Sequence, residues 1–356
     1  MKIHKNRILI IGSGNIFKKH LHTINTLKDT FEIAGIVEKN PTKFEILKRE
    51  FNYSIFKDLN LAIKNCEFEL GCILTDSGSH AKIALKLLNN NKSIIIEKPL
   101  AISLTDAEKI VQLEKKKNKL NIFVVKQNRF NIAIQKLKKA LDQKRLGKIF
   151  LATIRVRWMR NKDYYKSASW RGKWKTDGGV LCNQAIHHID LLQWLVGDVK
   201  DVFCKSSTVL APIEAEDTAA GILNFKNGAL GIIEASTACR PSNLEGSISI
   251  MGTKGTVIVG GFSADKILEW QFVNSKKHDE KILISSKSVK NLYAYSHIEF
   301  YKFVSEVLKS KKKKNFLSAK DAIKSLKIVT ALVKSSNTGK NVNLDSNLYR
   351  SKLGKK

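Results

Sequence analysis

The 356-residue sequence has few cysteines, and their spacing excludes two classes of small scaffold. Five cysteines make an odd number, and no two of them form a C-x-x-C pair. Secreted disulfide frameworks and structural zinc sites use paired, closely spaced cysteines, so we expect neither, and we expect no metal. The free thiols favour a reducing cytoplasm. The cysteines are Cys66, Cys72, Cys182, Cys204 and Cys239.

Long apolar runs are also missing. No stretch approaches the roughly 20 apolar residues that a membrane span needs. The apolar run before Gly12 is only four residues long, which is too short for a signal peptide. These absences predict a cytoplasmic protein with no membrane partner.

Acidic residues are scarce relative to basic ones. The chain has 63 Lys and Arg against 32 Asp and Glu, a formal net charge of +31. Such a balance can mark a nucleic-acid binder, because clustered lysines neutralise phosphates. The lysines here are dispersed, and the runs at 115–117 and 311–314 end predicted helices, where they complement the helix dipole. We therefore expect a solvated surface that attracts anionic substrates, and no nucleic-acid partner. A non-catalytic dinucleotide- or nucleic-acid-binding protein remains an alternative.

Length and pattern together predict two domains. Residues 1–125 alternate strands and helices, as in an α/β Rossmann domain with a parallel sheet. Residues 126–356 are rich in strands with few helices between them, which predicts an α+β domain with a large, mostly antiparallel open sheet. One face of that sheet should be polar unless another subunit covers it, so we expect a homo-oligomer, a dimer or tetramer. The predicted strands are 149–158, 199–209, 219–225, 229–236, 245–251, 256–259 and 267–273.

The first motif is a glycine turn after the opening strand. The run Arg7–Ile11 leads into Gly12-Ser-Gly14-Asn15-Ile16-Phe17, the beginning of a dinucleotide-binding unit. Gly12 permits the tight turn, and Gly14 lets the backbone approach a pyrophosphate at the helix N-terminus. Phe17 replaces the third glycine of the usual fingerprint. Glu38 ends the next strand, where its carboxylate would bind the adenosine ribose and repel a 2′-phosphate, so NAD is expected and NADP is less favoured.

The second motif delivers a lysine to the edge of the same sheet. The apolar run Ser93–Ile96 is typical of a strand buried on both faces, and Glu97, Lys98 and Pro99 follow it. In open α/β sheets, ligands bind at the carboxyl ends of the strands, so Lys98 lies where a substrate would bind.

The third motif runs from Asp177 to Asp190. Two glycines precede a predicted helix, on which Asn183, His187 and Asp190 recur at i, i+4 and i+7 and so share one stripe. A histidine exchanges protons near neutral pH, and neighbouring groups can fix its tautomer. The opposite, apolar stripe should face the core: Leu181, Ala185, Ile189, Leu192 and Val196.

Together these motifs resemble the Gfo/Idh/MocA family of nicotinamide-dependent sugar and polyol oxidoreductases. The resemblance also includes Thr75–His80, Gln127–Phe130 and Ser336–Lys340. It implies that Lys98 and His187 line the site where hydride leaves the substrate, with Asn183 replacing a common family aspartate. It implies a bound NAD in contact with these residues: Gly12, Gly14, Asn15, Ile16, Glu38, Thr75, His80, Glu97, Lys98 and Gln127.

One branch of the family is more similar than the rest. The segments Arg155–Arg160, Tyr164-Tyr165 and Trp170–Trp174 are similar to those of dehydrogenases that oxidise the 3-hydroxyl of UDP-N-acetylglucosaminuronate. This branch implies a role in surface-polysaccharide sugar biosynthesis. Arginines bind carboxylate and phosphate, and aromatic rings stack on bases. The resemblance therefore implies a nucleotide-linked sugar acid as substrate, contacted by Lys98, Arg157, Trp170, Arg171, Asn183, His187 and His188. A free sugar or inositol-like polyol is the alternative, since Lys98 and His187 suit it equally well.

Overall fold

The computed structural model describes residues 5–277, 279, 282, 292–310, 314–349 and 351–355. Two compact units make up the chain. The first contains Met1–Ala101, Asp106–Val125 and His297–Ala322, and the second contains Ile102–Thr105, Lys126–Ser296 and Ile323–Lys356. The sequence predicts two domains, 1–125 and 126–356, and so assigns residues 297–322 to the second domain. The domain boundary after residue 125 stays a prediction.

The first unit is built around a parallel sheet. Its strands are β1 (Asn6–Ile11), β2 (Phe31–Val37), β3 (Ile55–Phe56), β4 (Leu70–Ile73), β5 (Ser93–Ile96) and β6 (Ile122–Val124). The helices between them are α1 (Phe17–Thr26), α2 (Pro41–Glu50), α3 (Leu59–Asn65), α4 (His80–Asn89) and α5 (Leu104–Lys116). A 3₁₀ turn, Ser77–Ser79, precedes α4. The alternation of strand and helix predicted from the sequence is confirmed.

The strand order of this sheet is β3-β2-β1-β4-β5-β6, and every neighbouring pair is parallel. This is the order of a doubly wound dinucleotide-binding sheet, whose connections reverse direction between β1 and β4. Such a switch point leaves a crevice at the carboxyl ends of the two strands. The glycine turn follows β1, so it lies at this crevice.

The second unit is built around an eight-stranded sheet. Its strands are β7 (Ile149–Arg157), β8 (Val199–Ser207), β9 (Thr218–Phe225), β10 (Leu230–Ser236), β11 (Glu245–Gly252), β12 (Gly255–Gly260), β13 (Lys266–Phe272) and β14 (Val342–Asn343). The helices are α6 (Ile132–Asp142), α7 (Lys162–Lys166) and α8 (Ile186–Val196), with a 3₁₀ turn at Gln127–Phe130 and a π-helical turn at Val180–Gln184. Two long helices, α9 (Leu292–Lys309) and α10 (Ala319–Thr338), each contribute residues to both units.

The order of this sheet is β13-β12-β11-β7-β10-β9-β8-β14, and only β7 and β10 pair in parallel. One face is covered: α8 packs against β7 and β11, and α10 contacts the sheet where Leu332 lies against Gly221. The opposite face carries exposed apolar side chains on three neighbouring strands, those of Phe203, Ile222 and Ile232. The predicted open, mostly antiparallel sheet is confirmed.

Helix α8 corrects one expectation. The spacing predicted one apolar stripe and one polar stripe, but in the structure nearly every residue of α8 is buried. His187 and Trp194 are the half-buried exceptions. The five predicted core positions are indeed buried, yet the polar stripe does not face solvent, because polar partners inside the second unit bind it. As to membranes, none of the described helices is both long enough and apolar enough to span one.

Candidate active site

The turn after β1 has the backbone that a dinucleotide phosphate requires. Gly12 has φ +96°, and a Cβ there would lie 3.1 Å from the backbone of Leu74, at the end of β4. At Gly14 a Cβ would meet only the Leu74 carbonyl oxygen, at 3.8 Å, so the space above this residue is open. Helix α1 then begins without a side-chain cap, since the side chain of Ile16 at its N-cap forms no hydrogen bond. An uncapped helix N-terminus next to an open glycine is suited to bind an anion.

Glu38 lies directly after β2 and is buried beside this turn. Its carboxylate accepts hydrogen bonds from the backbone N–H groups of Ser13, at 3.0 Å, and of Asn40, at 2.8 Å. The Ser13 hydroxyl also donates to it. Glu38 Oε2 accepts two of these hydrogen bonds and Oε1 accepts one, so Oε1 can accept a further hydrogen bond from a ribose hydroxyl. These residues fit an adenosine dinucleotide.

Thr75 lies on the loop after β4, and His80 is the first residue of α4. Thr75 contacts the place where a Gly12 Cβ would be, so it borders the glycine turn. His80 is fully buried, and its two ring nitrogens contact the carbonyl oxygens of Pro99, at 2.7 Å, and of Thr75, at 3.2 Å. Burial lowers the pKa of His80. Because a neutral imidazole carries one N–H, His80 donates to only one of these carbonyl oxygens, and its contact with the cofactor stays a prediction.

Lys98 follows β5 and is half-buried, and its peptide bond to Pro99 is cis. The neighbouring carboxylate of Glu97 accepts a hydrogen bond from the Lys98 backbone N–H at 3.1 Å. The other Glu97 oxygen contacts His20 Nε2, at 3.0 Å, on helix α1. Glu97 therefore joins the main chain of Lys98 to the helix that begins at the glycine turn.

A buried network surrounds Glu97. His20 Nδ1 contacts the Tyr301 hydroxyl at 2.8 Å, and Cys72 Sγ lies 3.4 Å from the same hydroxyl. Burial alone would lower the pKa of His20, but Cys72 and Glu97 raise it to about 9. Burial alone would raise the pKa of Glu97, but the hydrogen bond and charge of His20 hold it at about 2. The pair is thus an imidazolium and a carboxylate at neutral pH.

One group of described residues has the donor atoms for a metal ion. His20, Glu97 and His297 offer three ligand atoms within 4.8 Å of one another. Two of these side chains already form the ion pair just described. The expectation of no metal stays a prediction.

In the second unit, the glycine pair leads into the π-helical turn. Gly178 and Gly179 both have positive φ, +77° and +73°. A Cβ on Gly179 would overlap the carboxyl group of Glu216, whose oxygen accepts from the Leu181 N–H at 3.0 Å. Only glycine fits between this buried carboxyl group and the start of the turn.

Asn183 lies within this π-helical turn, where the sequence predicted a regular α-helix. Its amide donates to the carboxylate of Asp177, and its oxygen accepts from Gln184 Nε2 at 3.2 Å. His187 is half-buried at the first turn of α8. The two residues therefore lie four positions apart on one continuous helical segment.

The side chains of Asp190 and His188 have other partners than those of Asn183 and His187. The Asp190 carboxylate is buried and paired with Lys126, at 2.7 Å, and with Arg129 through two hydrogen bonds of 2.7 and 2.9 Å. Burial alone would raise the pKa of Asp190, but Arg129 and Lys126 hold it at about 2. His188 is fully buried between Trp158 and Gly246, where burial lowers its pKa to about 4. Neither residue is exposed to a substrate, which corrects both expectations.

Arg157 lies on the wrong side of the sheet for the expected role. Alternate residues of β7 are buried under α8, and Arg157 points to the opposite, open face. There it binds Glu234 through two hydrogen bonds of 2.5 and 2.7 Å, and Glu245 lies 3.0 Å away. Both of its anionic partners belong to the protein, so the structure removes Arg157 from the substrate residues.

Trp170 and Arg171, by contrast, join the Asn183 cluster. The guanidinium of Arg171 lies 4.0 Å from the ring centre of Tyr164 and 4.7 Å from that of Trp170. Arg171 also donates to the Tyr164 hydroxyl, which accepts from Gln184 at 2.8 Å. Gln184 is adjacent to Asn183, so side chains predicted from separate segments meet here.

Gln127 follows the first unit's last strand in sequence and lies in a 3₁₀ turn of the second unit. It is buried, and its side-chain oxygen has no hydrogen-bond partner among the described residues. A buried amide oxygen without a partner is uncommon in folded proteins, so this atom is able to accept from a bound ligand.

Sequence reasoning missed several residues of these clusters. His20 and Tyr301 are 281 positions apart, and no local pattern links them. Arg160 and Tyr164 lie in segments that the sequence singled out, but their own partners, Gln184 and Arg171, are only visible in the fold. The local signal that could have found Gln184 is its position as a polar residue adjacent to Asn183.

Comparison with known families gives two matches that together span most of the chain. Residues 6–125 match the Gfo/Idh/MocA profile described as an oxidoreductase family, NAD-binding Rossmann fold. Residues 138–344 match the profile described as the C-terminal alpha/beta domain of the same oxidoreductase family.

Solved structures and curated proteins give similar relatives. The WlbA dehydrogenase of Bordetella pertussis, solved with NADH and UDP-GlcNAcA, is 33% identical with a TM-score of 0.90, over 98% of this chain and 100% of that one. The WlbA dehydrogenase of Chromobacterium violaceum, solved with the same two ligands, is 31% identical with a TM-score of 0.88, over 95% of this chain and 96% of that one. Myo-inositol 2-dehydrogenase of Thermotoga maritima is 24% identical over 77% of this chain and 80% of its own length.

Proposed function

The chain belongs to the Gfo/Idh/MocA oxidoreductase family and is an NAD-dependent oxidoreductase, and from this we propose that it oxidises the 3-hydroxyl of a nucleotide-linked sugar acid. UDP-N-acetylglucosaminuronate, converted to its 3-keto form, is the proposed substrate. The observation that carries the proposal is similarity over nearly the whole chain, at 31–33% identity, to two dehydrogenases solved with NADH and UDP-GlcNAcA.

The first unit supplies the cofactor half of the proposal. We assign the pyrophosphate to the turn of Gly12, Gly14, Asn15 and Ile16, where space is open and the helix N-terminus has no side-chain cap. Glu38 would bind the adenosine ribose, and its charge would repel a 2′-phosphate, which favours NAD over NADP. Bound NAD⁺ would accept the hydride from the substrate.

Lys98 is proposed to stabilise the alkoxide that forms as the hydroxyl loses its proton. A lysine ammonium is a compact point charge, and its main chain is fixed here by the hydrogen bond to Glu97. His187 is proposed as the general base, since a histidine can accept a proton near neutral pH. Asn183, held by Asp177 and Gln184, would orient the sugar.

A free polyol is the second candidate substrate. The curated relatives include inositol 2-dehydrogenases of Thermotoga maritima and Salmonella typhimurium at 23–24% identity. Lys98 and His187 would serve a ring hydroxyl of inositol in the same way. The two candidates differ in charge, because inositol carries neither a diphosphate nor a carboxylate.

The test is a turnover assay with purified protein and NAD⁺. UDP-N-acetylglucosaminuronate, UDP-N-acetylglucosamine and myo-inositol are supplied separately, and absorbance of the reduced nicotinamide is followed. We expect the highest kcat/KM with the sugar acid. Lys98→Met and His187→Gln should each lower kcat at least about 100-fold. His22→Gln, on the exposed side of α1, is the control and should leave kcat unchanged.

Turnover of myo-inositol with none of either UDP-sugar would overturn the nucleotide-sugar proposal in favour of the polyol. Near-normal rates in both the Lys98 and His187 variants would remove the two catalytic assignments.

We also propose that the open face of the eight-stranded sheet pairs with a second copy of this chain. Exposed Phe203, Ile222 and Ile232 lie side by side in neighbouring strands, and such a patch is favoured at an interface. On the same face Arg157 and Glu234 supply both signs of charge, which suits self-association. Ile222→Glu should lower the mass measured by light scattering, and Ile46→Glu, exposed on α2, should not. An unchanged mass in the first variant would contradict this interface.

The same proposal includes a cytoplasmic location and a role in surface-polysaccharide sugar biosynthesis. The five cysteines are all free, which supports a reducing cytoplasm. A keto sugar acid linked to UDP would be a precursor for amino-sugar residues of a surface polysaccharide.

A further inference from the structure

Two arginines of the second unit contact the ring of Tyr164, with guanidinium carbons 5.1 and 4.0 Å from its centre, and neither has a carboxylate partner among the described residues. These are Arg160, just after β7, and Arg171, and the Nε atom of each is buried with no hydrogen-bond partner. Three buried or half-buried arginines of this unit have carboxylate partners, which are Asp190 for Arg129, Asp279 for Arg145, and Glu234 for Arg157. A buried guanidinium N–H that lacks an acceptor is costly, and most such groups in folded proteins are satisfied.

A hydrogen-bonded network holds the two guanidiniums in place. Arg160 Nη2 donates to Gln184 Oε1 at 3.1 Å, and Arg171 donates to the Tyr164 hydroxyl. Gln184 Nε2 in turn donates to that hydroxyl, at 2.8 Å, and to Asn183 Oδ1. Both cations are thereby connected to the turn that carries Asn183.

Tyr164 contributes a third donor. Its oxygen accepts hydrogen bonds from both Arg171 and Gln184, so its own proton remains to be donated elsewhere. Burial raises the pKa of Tyr164, so the phenol stays protonated at neutral pH. The cluster thus offers two guanidinium N–H groups and one O–H.

We propose that Arg160, Arg171 and Tyr164 form a subsite for the carboxylate of the sugar acid. This inference rests on the proposed function and adds the residues that select an acidic sugar over a neutral one. A guanidinium presents paired N–H donors in one plane, which match the two oxygens of a carboxylate. A carboxylate bound to these donors would supply an acceptor for the unpartnered Nε atoms.

The position of the cluster favours the carboxylate over the diphosphate of the same substrate. Gln184 contacts both Arg160 and Asn183, and Asn183 is the residue proposed to orient the sugar. An anion bound here would therefore belong to the sugar ring. The diphosphate and uracil lie farther along the substrate from the reacting hydroxyl.

The experiment compares two substrates that differ at one group. UDP-N-acetylglucosaminuronate carries the carboxylate, and UDP-N-acetylglucosamine has a hydroxymethyl group in its place. Binding of each is measured by calorimetry in the presence of NADH, and turnover is measured with NAD⁺. The variants are Arg160→Gln, Arg171→Gln and Tyr164→Phe, and Arg155→Gln on the open face of the sheet is the control.

Wild-type protein should bind the sugar acid at least about 10-fold more tightly than the neutral sugar. Each arginine variant should weaken binding of the acid about 10- to 100-fold and of the neutral sugar less than about 3-fold. Tyr164→Phe, which removes only one oxygen and keeps the ring against Arg171, should weaken binding of the acid about 5-fold. Arg155→Gln should change neither.

Equal weakening of both substrates in the arginine variants would overturn the proposal, since the cluster would then hold the diphosphate or only the fold. If the arginine variants fail to fold, an unchanged affinity for the acid in Tyr164→Phe overturns it. Because calorimetry needs no turnover, wild-type protein that selects the acid without oxidising it would support the subsite while refuting the dehydrogenase proposal.

Discussion

In each unit a buried glutamate accepts a hydrogen bond from the main chain of a proposed active-site segment, and the two compared, Glu97 and Glu216, are in opposite protonation states. In the first unit, Glu97 accepts from the Lys98 N–H, and its pKa is held at about 2. In the second unit, Glu216 accepts from the Leu181 N–H, and burial raises its pKa to about 8. The two carboxyl groups perform the same structural task, one as an anion and the other as a neutral acid.

The charged groups near Glu97 and Glu216 explain why the pKa values of these two carboxyl groups differ. Both side chains are buried, which disfavours the charged form of a carboxyl group. Glu97 has His20 at 3.0 Å, whose charge reverses that effect. Glu216 has no cationic partner in the described part of the chain, and the nearby Asp177 and Asp217 raise its pKa further. One ion-pair partner thus decides whether a buried carboxyl group ionises.

The two states also predict opposite pH dependence. The carboxyl pKa of Glu97 is lowered on folding, so its contribution to stability is present above its ordinary pKa of 4.5 and is lost as the pH falls towards about 2. The pKa of Glu216 is raised on folding, so its contribution is fully present below 4.5 and is lost as the pH rises through about 8.

Removing the cation from Glu97 should have the largest effect. In His20→Leu the buried carboxylate loses its partner, and we expect the free energy of unfolding at neutral pH to fall by about 3–5 kcal/mol. Urea denaturation measures this change. The control is His22→Leu, because His22 is exposed on the same helix and should tolerate the change within about 0.5 kcal/mol. A loss below about 1 kcal/mol in His20→Leu would mean that Glu97 does not depend on an ion pair.

Filling the space beside Glu216 should have the next largest effect. In Gly179→Ala the new methyl group would overlap the carboxyl group, and φ is +73°, so we expect a loss of about 2–4 kcal/mol. Gly228→Ala is the matched control: φ is +88°, but nothing lies within 4 Å, so only backbone strain of about 1 kcal/mol remains. Adding Glu216→Ala to Gly179→Ala should recover part of the stability. If the stability losses of Gly179→Ala and Glu216→Ala simply add in the double variant, the steric explanation is refuted.

Replacing Glu216 with a neutral isostere should have the smallest effect and the clearest pH signature. Glu216→Gln should match wild type within about 1 kcal/mol near pH 5, where both side chains are uncharged. Between about pH 4.5 and 8 the wild type should lose stability relative to the variant, by up to about 1.4 kcal/mol per pH unit. Urea denaturation across this range is the measurement, with exposed Glu32→Gln as control. Parallel curves for wild type and Glu216→Gln would show that Glu216 is ionised when folded.

Much of the fold was predictable, because the apolar periodicities are local. The seven predicted strands of the second unit correspond to β7–β13. Sequence reasoning missed the π-helical turn at Val180–Gln184 and the burial of α8. A helix that polar partners cover on several sides has the same local pattern as an amphipathic one.

The candidate site was predictable only in part. Lys98, His187, Asn183, Trp170 and Arg171 stay proposals, and the last three are in one network. The resemblance placed Arg157 and His188 in the site, and helical spacing placed Asp190 on one stripe with Asn183 and His187. Neighbours along a strand or helix point in different directions, and the structure shows these three side chains on other faces.

By itself, the order of residues determined the parallel sheet with its glycine turn, the lysine after β5 and the strand-rich second half. Those features arise from hydrophobic period and backbone stereochemistry, which act over a few residues. The tertiary structure alone decided which polar groups meet: His20 with Glu97, Lys126 with Asp190, and Arg160 with Gln184. Protonation and pairing depend on burial and on atoms a few ångströms away, and those neighbours come from distant parts of the chain.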